Sequence, residues 1–307
     1  MIDLTRLEVF VYAAENLNFH KAARHLHLSQ PTISHHIKAL ETDFGVDLFA
    51  RCGGTLKLTE AGYLLLPWAR RLIHQAIEIQ QIMDSLHEEV AGHIRIACST
   101  TTGKYVLPQF ASRFHQRHPG VRVSILQCTS EHVVPHLLEQ EANLGVVSRD
   151  VCGDEVRLQE FFDDHIVLVT PSGHSWASRE CVEPSELVDV PFIMREPGSG
   201  TRRVVLAELG KHDISLADMN IFLEVGNAEA IVKTVEAGYG VSFISRPAAA
   251  WALDLGTVVE VPLAGVDLRR KIFMVRNHIH EANRAVEAFW GFVHDPSNAD
   301  LLFLAER

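Results

Sequence analysis

The sequence lacks the features that mark membrane and secreted proteins. No apolar run approaches the roughly 18 residues that a membrane-spanning helix needs. The first residues, Met1 to Arg6, contain no basic stretch leading into an apolar segment, as a secretory signal would. The 5 cysteines are scattered and form no C-x-x-C pair, which favours reduced thiols over a disulfide framework. We therefore expect a soluble, cytoplasmic protein that has no membrane partner.

Motifs of catalysis and metal binding are missing as well. Despite 18 histidines, the chain has no H-E-x-x-H and no Cys/His cluster with the spacing of metal ligands. It also has no G-x-S-x-G, no cysteine with an identifiable base and no nucleotide P-loop. We therefore expect a protein that is not an enzyme and that holds no metal or cofactor. Cys98 and Cys128 leave two alternatives open, oxidant-sensing thiols or buried inert ones.

Basic residues are scarce, with 28 Lys and Arg against 39 Asp and Glu and a formal net charge of −11. Such a balance argues against indiscriminate nucleic-acid binding. One segment, Asn18–Leu40, departs from it, because it has five histidines and Lys21, Arg24 and Lys38 but no acid. The segment is either an ordinary solvated surface or a site for a polyanion. Because the ordinary pKa of histidine is about 6.5, binding there is expected to depend on pH as well as salt.

The residues around this segment predict a helix-turn-helix. Apolar residues at helical spacing indicate one helix near Leu7 and a second near Ala22. Ser29 is a suitable N-cap and Pro31 fits the first turn, so a third helix is predicted to run to about Phe44. In a helix-turn-helix, the N-terminal end of such a helix enters the major groove of DNA. The predicted DNA contacts are Gln30, Thr32 and Ser34 near the bases, Lys38 near phosphate, and also Lys21, Ser29, Pro31 and His35.

The segment from Leu48 to Thr59 predicts two short strands around Gly53-Gly54. A hairpin beside a helix-turn-helix is typical of a wing. In a wing, Arg51 and Lys57 would reach the DNA backbone or the minor groove. The alternative is a connecting loop without contact to DNA.

This N-terminal region resembles the DNA-binding signature of the LysR-type transcriptional regulators. The matching residues, in register, are Phe19, Ala22-Ala23, Leu26, Ser29-Gln30-Pro31, Ser34, Ile37, Leu40-Glu41, Gly45, Leu48-Phe49, Arg51, Leu58-Thr59 and Ala61-Gly62. The chain departs from the family pattern at Gly53-Gly54, where a basic residue is common, and at His35-His36. The resemblance implies double-stranded DNA with a two-fold operator as one partner and RNA polymerase as a further one.

From Glu60 to about Val90 the sequence predicts one long helix. Its apolar seam, near heptad spacing, consists of Leu65, Leu72, Ile79, Ile82 and Leu86, supplemented by Leu64, Trp68 and Met83. A helix of about 30 residues is roughly 45 Å long and needs a partner, which is either the chain's own core or the same helix of a second subunit. In the family that the chain resembles, this helix joins two subunits, dimers pair into tetramers, and Ala91-Gly92-His93 corresponds to a hinge.

Beyond Gly92 the sequence alternates between predicted strands and helices, which is typical of α/β layers. The predicted strands are His93–Cys98, Val121–Gln127, Leu144–Val147, Ile166–Thr170, Phe192–Arg195, Asn220–Val225, Val241–Ile244 and Lys271–Val275, with helices such as Leu107–His118 and Thr201–Gly210. The resemblance implies a two-lobed fold like that of periplasmic binding proteins. We predict an α/β protein with a winged helix-turn-helix at residues 1–59 and a linker helix with its hinge at 60–91. An effector-binding domain follows at 92–307, with lobe one at 92–163 and 268–307 and lobe two at 164–267.

Ligands of open α/β sheets bind beyond the carboxyl ends of the strands. Three hydroxyl-rich segments follow predicted strands, and the strongest of them is the Gly-rich turn from Arg195 to Arg202. Free N–H groups and the positive end of the helix dipole at such a turn favour an anion, which Arg202 would bind bidentately. The alternative is a capped turn without a ligand. The predicted effector site consists of Ser99, Thr100, Thr101, Thr129, Ser130, Ser199, Gly200, Thr201, Arg202 and Asn227.

The run from Arg195 to Arg202 also resembles the LysR-type regulators of carbon fixation or sulfur metabolism, which implies a small anionic effector. Two hypotheses follow for the whole chain. It is either a DNA-binding regulator controlled by a small ligand, or a solute-binding or catalytic α/β protein whose N-terminal helices serve only oligomerisation. Gln30, Pro31, Thr32 and Ser34 favour the regulator, because an oligomerisation helix has no need of a Pro-capped polar face.

Overall fold

In the computed structural model, residues 2–52, 55–84, 90–98, 100–148, 155–277 and 284–302 are described. The chain divides near residue 87 into two compact units. None of the described helices combines the length and the apolarity needed to cross a membrane.

The N-terminal unit is a helix-turn-helix followed by a hairpin and a long helix. Its elements are α1 (Leu4–Asn16), α2 (Phe19–His25), α3 (Gln30–Phe44), β1 (Phe49–Cys52), β2 (Thr55–Leu58) and α4 (Glu60–Asp84). Side chains of Asp3, Asn18 and Ser29 cap the first three helices by accepting backbone N–H groups. Gly45 ends α3 with a φ of +71°, a backbone conformation that glycine adopts at little cost.

The hairpin is held against the helices by aromatic and polar contacts. The ring of Phe49 lies edge-on to Phe10 and Phe19, with centroids 5.7 and 5.2 Å apart. At the end of α3, the carboxylate of Glu41 accepts the backbone N–H groups of Leu48 at 2.9 Å and of Phe49 at 3.3 Å. The position of the wing is therefore fixed relative to α3.

Helix α4 carries two apolar faces. One face packs into the core of the N-terminal unit through residues that include Leu65, Ala69 and Ile73. The other is exposed and contains Leu64, Trp68, Leu72, Ile79 and Met83. Leu65 therefore belongs to the intramolecular face, which corrects its predicted place in the seam; the side chain of Ile82 and all of Leu86 lie outside the described residues.

The C-terminal unit is an α/β structure. Its strands are β3 (Gly92–Cys98), β4 (Val121–Gln127), β5 (Leu144–Val147), β6 (Val156–Pro171), β7 (Phe192–Arg195), β8 (Ile221–Val225), β9 (Ser242–Ser245), β10 (Val258–Glu260) and β11 (Arg269–Asn277). Its helices are α5 (Thr100–Tyr105), α6 (Leu107–Arg117), α7 (Val133–Leu138), α8 (Gly200–Gly210), α9 (Ala228–Glu236), α10 (Arg246–Asp254) and α11 (Arg284–Val293), with 3-10 turns at Pro184–Asp189, Leu216–Asp218 and Pro296–Leu302. The predicted fold class is confirmed. Strand β6 begins at Val156 rather than Ile166, and β10 was not predicted.

Two long antiparallel strands, β6 and β11, pass from one lobe to the other. Strands follow the order β10-β6-β11-β5-β3-β4, with β9 also paired to β6, and β7 pairs with β8. The first part of β6, at Phe161, packs into the lobe that contains β3 and α6. Its second part, from Ile166, packs into the lobe that contains β7 and α8. The strands change lobes where Arg270 of β11 lies opposite Asp164 of β6.

Candidate functional site

The outward face of α3 is polar, while Ile33, Ile37 and Leu40 on its inner face are buried. Gln30, Pro31, His35 and Lys38 are exposed, and Thr32 and Ser34 are partly exposed. Lys38 is 73% exposed, and its Nζ lies 3.9 Å from the carboxylates of Glu41 and Asp47, at the limit of an ion pair. Its ammonium group is therefore accessible to a phosphate.

The side chain of Ser29 caps the start of α3. Its hydroxyl accepts the backbone N–H of Thr32 at 3.2 Å and lies 2.8 Å from the hydroxyl of Thr32. These contacts fix the first turn of the helix. The side chains of Ser29 and Thr32 thus position the polar end of α3.

The start of α3 and the hairpin line one concave surface. It is formed by Leu17, Asn18, Phe19, His20, Gln30, Thr55, Leu56 and Lys57. Gln30 and Lys57 are thereby brought together, and Lys21 is exposed on neighbouring α2. The side chain of Arg51 lies outside the described residues.

A partly open, polar cavity of about 220 Å³ lies between the two lobes of the C-terminal unit. Its lining consists of Thr101, Gln127, Cys128, Thr129, Ser130, Ser148, Arg195, Glu196, Gly198, Ser199, Gly200, Thr201 and Arg270. Six predicted site residues are among them, because the ends of β3, β4 and β7 meet at this cavity. Ser99 and the side chain of Thr100 lie outside the described residues.

The start of α8 forms one wall of the cavity. Ser199 caps the helix, and Ser199, Gly200 and Thr201 all face the cavity. The first N–H groups of a helix have no carbonyl partner within it and carry the positive end of its dipole. This wall is thus suited to an anion.

Arg202 and Asn227 do not line the cavity, which corrects their predicted place in the site. Nη1 of Arg202 donates to the carbonyl oxygen of Arg195 at 2.9 Å and lies 2.5 Å from the carboxylate of Glu224 on β8. The Asn227 side chain accepts the backbone N–H of Ala230 at 3.0 Å and caps α9. Both side chains make contacts within lobe two and do not face the cavity.

The guanidinium groups of the cavity belong to Arg195 and Arg270, which were not among the predicted site residues. Arg195 is buried at the end of β7 and forms two hydrogen bonds to Glu196, at 2.8 and 2.9 Å. Arg270 is held by Asp164, which lies opposite it on the adjacent strand β6. Arg195 stands in the segment that the strand-end rule selected, so the sequence did contain a signal for it.

Two thiols lie at or near the cavity. Burial raises the pKa of Cys98 to about 12, and it raises the pKa of Cys128, which lines the cavity. Both groups are therefore protonated at neutral pH, and the thiolate is the reactive form of cysteine. This geometry favours inert thiols over oxidant sensors. No cluster of His, Cys, Asp and Glu suited to a metal ion occurs in the part of the chain that the structure describes.

Comparison with known proteins gives matches over both units. The model of bacterial regulatory helix-turn-helix proteins of the lysR family matches residues 4–63, and the LysR substrate binding domain model matches residues 87–296. The RuBisCO operon transcriptional regulator of Allochromatium vinosum is 29% identical, over 95% of both chains.

Two solved structures share the fold. Full-length CbnR complexed with its target DNA has a TM-score of 0.74 at 22% identity, over 95% of this chain and 99% of that chain. The regulatory domain of Synechocystis CcmR, in complex with 2-PG, has a TM-score of 0.60 at 25% identity. It covers 66% of this chain and 95% of that domain.

Proposed function

The chain belongs to the LysR family of transcriptional regulators, and on that basis we propose that it binds a two-fold operator under the control of a small anionic metabolite. Membership confirms the resemblance predicted from the residues, including its carbon-fixation branch, since relatives are named as RuBisCO operon regulators. The chain is therefore a transcriptional regulator with an effector-binding domain, not an enzyme.

The proposed DNA contacts come from α3 and the hairpin. Gln30, Thr32 and Ser34 are at the end of α3 that a helix-turn-helix inserts into the major groove. Lys38 of α3 and Lys57 of the hairpin are exposed cations that are proposed to contact phosphates. The observation that carries this proposal is the shared concave surface that Gln30 forms with Lys57.

We propose that two chains pair through α4, and that dimers pair into tetramers. Leu64 is 70% exposed and Ile79 is 62% exposed, although both are strongly apolar. A second copy of α4 would remove this surface from water, and burying it stabilises a dimer by roughly 25 cal/mol per Å² of apolar area. Such a dimer would present two helix-turn-helix units to a two-fold operator.

The proposed effector is compact and anionic. The cavity of about 220 Å³ is smaller than the roughly 300–1,000 Å³ of pockets for drug-sized ligands. Two guanidinium groups and the start of α8 supply donors for negative charge. Since the CcmR domain was solved in complex with 2-PG, that compound is the first to test.

Effector control requires that the ligand bind one arrangement of the lobes more tightly than another. We propose that this preference changes how paired chains present their recognition helices, and so changes transcription by RNA polymerase. The protein would act in the cytoplasm, where its operator is.

A gel-shift titration with the DNA upstream of the chain's own coding sequence tests the proposal. We expect specific binding that the triple variant Gln30→Ala, Thr32→Ala, Ser34→Ala weakens at least tenfold, because each lost base contact costs roughly 1–3 kcal/mol. Thr42→Ala, in the last turn of the same helix, is the matched control and should bind like the unmodified chain. Specific binding that is absent at every salt concentration, or unchanged in the triple variant, would contradict the DNA-binding proposal.

A further inference from the structure

The winged helix-turn-helix at residues 1–59 has no net formal charge. Its six Lys and Arg residues are balanced by six Asp and Glu residues. The same residues include five histidines, all of them between Asn18 and Leu40, a segment without an acid. A protein gains affinity for DNA with each positive charge that neutralises a phosphate. Histidine is the side chain whose ordinary pKa, about 6.5, allows this unit to gain positive charge near neutral pH.

His35 lies at the centre of the outward face of α3. At about 100° per residue, its side chain is roughly opposite the buried face formed by Ile33, Ile37 and Leu40. The side chain is exposed, and that of Lys38 follows it one turn later. Because a helix-turn-helix inserts this helix into the major groove, His35 is placed to meet DNA.

His20 lies on the concave surface that the start of α3 forms with the hairpin. The same surface contains Gln30 and Lys57. His25, on the same helix as His20, has different surroundings, because its ring lies against Tyr12 of α1 with centroids 4.4 Å apart. His20 is thus the histidine of α2 that shares a surface with the proposed DNA contacts.

The titratable and charged groups next to these two histidines are basic. They are Lys21 and Arg24 on α2, His36 and Lys38 on α3, and Lys57 across the concave surface. Nearby cations favour the neutral form of a histidine, whereas the phosphates of bound DNA favour the protonated form. DNA is therefore expected to change the protonation of His20 and His35.

No acid of the neighbouring elements contacts His20 or His35 among the described residues. The acids are Asp3, Glu8 and Glu15 at α1, Glu41 and Asp43 on α3, and Asp47 before the hairpin. Five of them have basic neighbours elsewhere: Arg6 pairs with Asp3 and Asp43, Arg70 pairs with Glu15, and Lys38 lies 3.9 Å from Glu41 and Asp47. Glu8 is exposed on α1, one turn from Tyr12. A charge gained by either histidine is therefore left for DNA to neutralise.

We propose that operator DNA binds the chain with His20 and His35 protonated, so that DNA binding takes up protons and tightens as pH falls. The inference rests on the proposed DNA-binding function. Its sign follows from linkage, because lower pH favours the complex when the complex holds more protons than the separate chain and DNA. The tightening is expected between about pH 8 and 6, where an ordinary histidine becomes charged.

The test is a fluorescence anisotropy titration of the upstream DNA with the full chain at pH 6, 7 and 8, each at several salt concentrations. The variants are His20→Gln and His35→Gln, which remove the titratable group, their double variant, and His35→Lys, which is charged at every pH. The matched control is His25→Gln on α2. Thermal unfolding at each pH reports whether each variant is folded, and acid destabilisation would weaken binding rather than tighten it.

The unmodified chain and His25→Gln should bind roughly tenfold more tightly at pH 6 than at pH 8, since each phosphate neutralised at physiological salt contributes up to about fivefold. The slope of log affinity against log salt should be steeper at pH 6 by about 0.9 for each such histidine. Each Gln variant should lose part of both changes, and the double variant nearly all of them. If His35→Gln binds no DNA, His35→Lys decides, because its binding should depend less on pH than that of the unmodified chain.

Two results would overturn the inference and leave DNA binding standing. One is an affinity and a salt slope that do not change with pH in the unmodified chain. The other is a pH dependence that persists in full in the double variant or in His35→Lys. Absence of specific binding by the unmodified chain at every pH and salt concentration would instead overturn the proposed DNA-binding function itself.

Discussion

The ammonium group of Lys104 lies 3.0 Å from the carboxylate of Glu229, and this pair joins the two lobes of the effector-binding domain. The neighbouring Tyr105 hydroxyl donates to the same carboxylate at 3.0 Å. Both donors are at the end of α5, the helix on which Thr101 lines the cavity. The contact therefore holds the cleft in the arrangement seen here.

Replacing Glu229 by Gln is expected to weaken phosphate binding in the cleft by up to about fivefold. Partly exposed ion pairs contribute roughly 0–1 kcal/mol, so the effect should be small. The pKa of Glu229 is lowered by the hydrogen bonds from Lys104 and Tyr105, so the contact persists above the ordinary carboxyl pKa and is lost as pH falls through the lowered value. Lys233→Gln, which breaks a pair within α9, is the control for calorimetric titration. Equal weakening by both substitutions would refute an interlobe role.

The effector-binding domain is expected to lose stability as pH falls below about 6.5. Burial lowers the pKa of His93, His174 and His294 from the ordinary value of 6.5. The unfolded chain then binds more protons than the folded chain, so the stabilisation is fully present above pH 6.5 and decreases as pH falls through the lowered values. The check is the unfolding temperature between pH 7.5 and 5.5, a window above the titration of ordinary carboxylates.

His294 should account for part of this slope. Its Nδ1 lies 2.7 Å from the carbonyl oxygen of Trp290, and its Nε2 is buried without a hydrogen-bond partner among the described residues. Protonation would place an unpartnered charge there. The variant His294→Gln should flatten the slope, whereas His212→Gln, at an exposed position, should leave it unchanged. An unfolding temperature independent of pH in the unmodified chain would contradict this account.

The substitution Glu41→Ala is expected to destabilise the winged helix-turn-helix by about 1–3 kcal/mol. It leaves the backbone N–H groups of Leu48 and Phe49 without the carboxylate that accepts them. Chemical denaturation and operator titration should show lower stability and weaker DNA binding, with unchanged phosphate binding in the cleft. Asp43→Asn, in an exposed pair with Arg6, should cost less than about 1 kcal/mol. Equal losses in the free energy of unfolding for the two variants would contradict the stabilising role of the Glu41 hydrogen bonds.

A charge on the exposed face of α4 should separate the paired chains. Trp68→Glu puts a carboxylate on the face with Leu64 and Leu72, where the partner helix is proposed to lie. Sedimentation equilibrium should show a dissociation constant raised at least tenfold, because an unpaired charge is costly to bury. Tyr63→Glu is the control, because Tyr63 is 66% exposed and lies about 140° around the helix from Trp68, at 100° per residue, so it should dimerise like the unmodified chain. A Trp68→Glu chain that still dimerises like the unmodified chain would exclude this face.

Local patterns predicted much of this structure. Ser29, Pro31 and Gly45 delimit α3 through rules that involve only neighbouring residues, and α3 begins and ends as predicted. Thr201 and Ser130 could be placed at the interlobe cavity because they follow runs of apolar strand residues, and strand ends gather at one edge of a sheet. Strand β10, of only three residues, carries too short a pattern to be recognised.

The cleft arginines depend on contacts that no local pattern contains. Arg270 reaches the cavity because β11 pairs with β6, and its partner Asp164 is 106 residues away in the chain. Arg202 lies at the start of α8, where an anion-binding residue would be expected. Its guanidinium is instead paired with the carboxylate of Glu224 on β8. In both cases a contact between two different elements of the fold decides whether the arginine side chain faces the cavity.

The most direct test of the central claim is a DNase I footprint of the upstream DNA, with and without inorganic phosphate, for the unmodified chain and for Gly200→Ala. An added Cβ at Gly200 would lie 2.6 Å from the Ser148 hydroxyl oxygen and 2.9 Å from Nη1 of Arg270, so this variant must displace side chains that line the cavity. The account predicts that both proteins protect the same operator, and that phosphate changes the extent of protection or the affinity only for the unmodified chain. A footprint that phosphate leaves unchanged, at concentrations that saturate the cleft by calorimetry, would contradict the claim that the cleft controls operator binding.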